Sequence, residues 1–169
     1  NPTFAPPAMW RDPASGPPCT AASANQNYRG IQAATATSLS IEADINENGV
    51  MGAAGNPNEI VTYTYDAGNQ YLTRETNCGG AFAFLGETVA SGKPRSVRII
   101  NTAAVPVFQY FDAQGTNITA GLPAAIPNIA RIDVTLWVET ADADAESGLR
   151  RQLVYSTSVI TRNHVILQY

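Results

Sequence analysis

Apolar and polar residues alternate over much of this chain, and a period of two marks a half-buried β-strand. The clearest case is RIDVTLWVET, residues 131–140. Ile132, Val134, Leu136 and Val138 fall on one side; Asp133, Thr135, Trp137 and Glu139 fall on the other. After the polar stretch ADADAESG, the segment LRRQLVYSTSVITRN returns as a second arm, which predicts a long hairpin with one core-facing side. Residues 30–44 also end in alternation, with Leu39, Ile41 and Ala43 on one face and Ser40 and Glu42 on the other. EIVTYTYD, residues 59–66, is β-branched and aromatic, AGN at 67–69 is turn chemistry, and QYLTRET at 70–76 reads as the hairpin partner. Residues 81–89 read as a short strand and a turn, with a short helix as the alternative, and RSVRIIN (95–101) and VPVFQYFD (105–112) as further strands, the last closed by Gln114-Gly115. Helical periodicity is scarce and no internal repeat occurs. The expected fold class is mostly β, with antiparallel sheets.

Residues 1–29 break the pattern. NPTFAPPAMW and DPASGPPC hold more than half of the chain's eleven prolines. Proline fixes φ and removes a donor, so neither a helix nor a central strand is expected there. The division is a Pro-rich irregular leading segment, 1–29, and a single β-rich globular domain, 30–169, long enough to bury a core.

Composition narrows the function classes. Charged residues make up 14%, against roughly 25% in an average soluble domain. The net charge is −4, and no basic cluster exceeds the pair Arg150-Arg151. Electrostatics therefore favour neither a nucleic-acid partner nor an anionic membrane surface. No apolar run reaches the 18 or so residues of a membrane span. The chain begins at Asn1, and the expectation is a processed or truncated product.

Candidate chemistry is thin. Cys19 and Cys78 lack C-x-x-C spacing and only one histidine is present, which disfavours zinc. One disulfide between them is expected, with two buried thiols as the alternative. His164 stands alone near the end of the chain, with no G-x-S-x-G, G-x-G-x-x-G or P-loop, so no catalytic residues are assigned. DINENG, residues 44–49, matches the first half of an EF-hand loop through Asp44, Asn46, Asn48 and Gly49. Position 12 is Gly55, which offers no side chain, and Glu59 arrives four residues late between expected strands. Calcium on Asp44, Asn46, Asn48 and Glu59 is the weaker reading; a polar turn with Asn48-Gly49 at positive φ is the stronger. Asn117-Ile118-Thr119 is a glycosylation sequon. Trp10 and Trp137 are candidate contact residues; Trp137, on the polar face, is read equally as an exposed anchor for a partner or as a ring packed under the Pro-rich segment.

Several of these segments, in this order, resemble the globular part of a PilW-type minor type IV pilin, related to the J-type pseudopilin of type II secretion. They are SLSIEADINENG, NEIVTYTYD, LTRETNCGG, VFQYFDAQG, IARIDVTLWVET and RRQLVYSTSVITRN, covering roughly residues 30–163. The resemblance implies an α+β pilin-like fold whose N-terminal helix is absent from this chain. It also implies assembly rather than catalysis: a subunit that primes a pilus-like filament or sits at its tip, contacting other minor pilins, the major pilin or a tip adhesin. The implied location is periplasmic or extracellular, with inner-membrane anchoring before assembly only through the missing helix. Expected docking surfaces are the Pro-rich segment, the two tryptophans, and the loops after Asp44 and Asp112. The rival from another class is a secreted binding or adhesion module, calcium-stabilised in one version; an enzyme ranks third.

Overall fold

A computed structural model describes residues 30–43, 45–46, 58–77, 79–86 and 96–161. Nine strands appear among them: β1 Gly30–Ala34, β2 Ser38–Glu42, β3 Ile60–Asp66, β4 Tyr71–Thr76, β5 Phe82–Leu85, β6 Val97–Ile99, β7 Phe108–Phe111, β8 Arg131–Thr140 and β9 Gln152–Ile160. Among the described residues every pairing is antiparallel, and helix is confined to two single 3-10 turns at 119–121 and 126–128. The mostly β, antiparallel architecture is as the alternation predicts.

The strands form two sheets. The first is a meander in chain order, β1-β2-β3-β4-β5. In the second, β8 is central: β6 and β7 share one of its edges end to end, and β9 takes the other. The core lies between the sheets. Leu39, Tyr65 and Leu72 of the first meet Ile99, Phe108, Tyr110 and Ile132 of the second, and Ile126 and Ile129 of the 3-10 segment close one side.

Polar clamps tie the sheets together. The Tyr65 hydroxyl donates to the carbonyl oxygens of Ile99 and Asn101, each at 3.0 Å, and the Tyr110 hydroxyl donates to the Ser38 carbonyl at 3.0 Å. The turns of the first sheet also reach across, since Ile99 N–H donates to Gln70 O and Phe108 N–H to Ala36 O.

The two strands on one edge of β8 leave a gap, because β6 ends at Ile99 and β7 begins at Phe108. At the gap's margins Ile100 N–H still bonds Trp137 O, and Thr135 N–H bonds Val107 O. Between them β8 still presents the Thr135 carbonyl and the Trp137 N–H. The carboxamide of Asn101, only 5% exposed, takes both: Nδ2 donates to Thr135 O and Oδ1 accepts from Trp137 N–H, each at 2.9 Å. Nδ2 also donates to Val105 O at 2.9 Å. One side-chain amide thus stands where a ladder peptide is missing, and buried backbone groups require such a partner.

Burial adds to the alternation in two strands. Leu39 is buried, Ser40 and Glu42 are each only 1% exposed, and Ile41 is 36% exposed. Ser40, Glu42 and their neighbour Ile60 lie on the side of the meander away from the core, and they are covered as well. In β8, Ile132 is buried and Val134, Leu136 and Val138 pack against the core as predicted. Trp137, on the other side, is half-buried.

Candidate functional site

Most residues singled out from the sequence do not converge. Trp10, Cys19, Asp44, Asn48, Cys78 and His164 lie outside the described residues. Asn46 is exposed, whereas Glu59 is buried and its carbonyl accepts from Ala43 N–H at 2.8 Å, closing the base of the loop between β2 and β3. Among the described residues, no three His, Cys, Asp or Glu side chains gather in a metal-binding arrangement.

Carboxylates elsewhere organise backbone. Asp112 Oδ1 accepts from Gln114 N–H (3.0 Å) and Thr116 N–H (2.8 Å), which folds the loop after β7 into a tight Asx-type turn. Asp144 does the same for the β8–β9 connection, taking the N–H groups of Glu146 and Ser147 together with the Arg151 guanidinium. Those hydrogen bonds, the backbone ones foremost, hold its carboxyl below the usual carboxylate range. Asp66 is lowered in the same way by Asn69 at the β3–β4 turn. The exposed Asn117 of the sequon caps its own turn, Oδ1 accepting from Thr119 N–H at 3.0 Å, while the Thr119 hydroxyl accepts from Tyr110 N–H at 2.9 Å.

The polar side of the β8–β9 hairpin is laced together. Arg131 lies 4.0 Å above the Phe111 ring and its Nε is 3.0 Å from Asp133 Oδ1, which also accepts from the Ser158 hydroxyl at 2.6 Å. Trp137 Nε1 donates to Gln152 Oε1 at 3.3 Å, and Gln152 Nε2 donates to Glu139 Oε1 at 3.0 Å. Trp137 is thereby a member of this lattice, its indole N–H already engaged.

β9 is the anomaly. All nine of its residues are exposed. The register sets Leu153 opposite Val138, Tyr155 opposite Leu136 and Val159 opposite Ile132. These three therefore stand on the core-facing side, yet they are 65%, 59% and 50% exposed. On the other side, Val154 and Ile160 are 57% and 70% exposed. The hairpin has projected its second strand past the body of the first sheet. β9 pairs with β8 alone among the described strands, so its outer edge is open. The sequence carried the alternation but held no sign that the core ends before β9 begins.

No family model, no curated protein and no solved structure matches this chain.

Proposed function

We propose that this chain is a structural subunit of a type IV pilus-like filament: a minor pilin or pseudopilin that primes assembly or sits at the tip through contacts with sister subunits. One observation carries the reading. A β-sheet body projects a long uncharged edge strand into solvent, with exposed apolar side chains on each of its faces, and such a surface suits protein docking. The order of motifs in the sequence supports the same reading. The last two segments of the resemblance form one hairpin, β8 with β9, and the Asp112 segment forms the turn after the aromatic strand β7. In this reading the sheets are scaffold, and the calcium candidate is the 44–59 loop, not the docking edge.

The experiment is genetic. Deleting the gene from its own host should abolish surface filaments, or reduce them at least tenfold, while the major pilin stays abundant in the inner membrane. Reintroduced wild-type gene should restore them. Unchanged filament number and length would refute the assembly role and leave the secreted binding module as the better account.

A further inference from the structure

The phase of the β8–β9 ladder identifies which backbone groups of β9 are open. At one end Thr140 N–H donates to Arg151 O at 2.9 Å; at the other Thr161 N–H donates to Ala130 O at 3.1 Å. Between them the register runs without a bulge from Glu139↔Gln152 to Arg131↔Ile160. In an antiparallel pair, bonded and non-bonded positions alternate. The odd-numbered residues of β9 therefore bond to β8. The N–H and C=O groups of Gln152, Val154, Ser156, Ser158 and Ile160 point away from it.

We infer that this edge joins the same edge of a second copy of the chain, antiparallel, about a two-fold axis through Ser156. In that register all five outward residues meet outward residues: Gln152 opposite Ile160, Val154 opposite Ser158, and Ser156 opposite itself. On the core-facing side, Leu153 meets Val159 and Tyr155 meets Thr157, apolar or β-branched pairs of the kind that stabilise sheets. No residue of β9 is charged, so a like strand meets no repulsion and a charged partner strand gains nothing by choosing this edge. The usual guards of a solvent-facing edge, a lysine, a proline or a bulge, are all missing from β9. The contact is isologous and so closes at two chains.

A strand of nine residues, about 30 Å long, makes a smaller contact than the roughly 800 Å² per partner of a standard complex. The dimer is therefore of the weak, concentration-dependent class. The inference uses the docking edge proposed above but not the filament role, which filament counts in the host decide separately.

Sedimentation equilibrium of the 169-residue chain over roughly 5 to 500 μM tests it. Wild type should pass from monomer to dimer and no further. Ser156→Lys or Ser156→Glu sets like charges face to face on the axis and should each raise the dissociation constant at least tenfold, with the circular dichroism unchanged. An equimolar mixture of the two should recover dimer, because Lys then faces Glu. Ser156→Pro removes the outward donor and one exposed hydroxyl contact with Thr135, leaves the backbone bonds to β8, and should also give a folded monomer. Monomeric wild type at the highest concentration would overturn the inference, as would a dimer indifferent to Ser156→Lys, or variants that fail to recover on mixing.

Discussion

Asn101 offers the sharpest test of how the second sheet holds together. Its side-chain amide satisfies three backbone groups, Val105 O, Thr135 O and Trp137 N–H, all at 2.9 Å and in a site only 5% exposed. Asn101→Ala leaves all three without that partner. Each lost bond costs about 1 kcal/mol net, and up to about 3 where a buried group is stranded, so the change should cost about 3–5 kcal/mol. A domain's whole stability is about 5–15 kcal/mol, and for a chain of this length each kcal/mol moves Tm by about 2–4 °C. Urea titration and calorimetry should therefore show a fall in Tm of about 10 °C with little change in m. Asn101→Asp separates hydrogen bonding from shape. It keeps an acceptor for Trp137 N–H but turns a carboxylate oxygen toward two carbonyls. The Asp variant should be much less stable than wild type at pH 7, with the gap narrowing in acid as the carboxyl gains a proton to donate. A loss below about 1 kcal/mol for Asn101→Ala would mean that water replaces the amide, and the missing-peptide account would be wrong.

Two further perturbations follow from the same geometry. The Tyr110 hydroxyl is wholly buried and burial raises its pKa far above 10.0; Tyr65 moves the same way, by burial first and the charge of Asp66 second. The folded state then keeps a proton that the unfolded state sheds near pH 10. This contribution is complete below pH 10 and decays above it by about 1.4 kcal/mol per pH unit for Tyr110. Tyr110→Phe should thus cost about 1 kcal/mol at pH 7, where Ser38 O loses the hydroxyl and keeps Thr35 N–H, and should overtake wild type above roughly pH 11 in alkaline unfolding. A constant offset across that range would contradict it. In the loop between β2 and β3, Asn46 is exposed while Glu59 is buried, so a chelator should move the melting midpoint by less than about 1 °C. A fall of several degrees, restored by added calcium, would install an ion there.

The parts of this fold that were legible in the sequence are those in which one strand's own pattern decides the outcome. In RIDVTLWVET the alternation names the side that meets the core, Ile132, Val134, Leu136 and Val138, and the β8–β9 pairing follows from two such runs around a polar turn. β2 defeats the same logic. The faces were assigned correctly, with Leu39 and Ile41 together and Ser40 and Glu42 together, but the second face is covered too. Alternation says which residues share a side and nothing about whether that side meets solvent. Asn101 was invisible for a different reason. Its role exists because two strands from separate parts of the chain abut along β8 without meeting, and no local window contains that gap.

β9 joins these two lessons to function. Its alternation is as good as that of β8, and it names Leu153, Tyr155 and Val159 as core-facing, yet the structure gives that side no core to face. An apolar side chain left in water forgoes roughly 1.5–3 kcal/mol of burial, and five such side chains stand on one strand whose outer backbone groups are also unpaired. Neither fact alone says much, since single exposed apolar residues are ordinary and every open sheet has edges. Their coincidence on nine consecutive uncharged residues is different, because one added strand would satisfy both at once: its backbone completes the ladder while its side chains cover the apolar flanks. A ligand without a strand's backbone repeat, such as a lipid or a small molecule, could cover the side chains but would leave five N–H and five C=O groups facing water as before. The edge therefore selects an extended polypeptide by its hydrogen-bonding period, and its lack of charge makes an equally uncharged strand, β9 itself included, the best match.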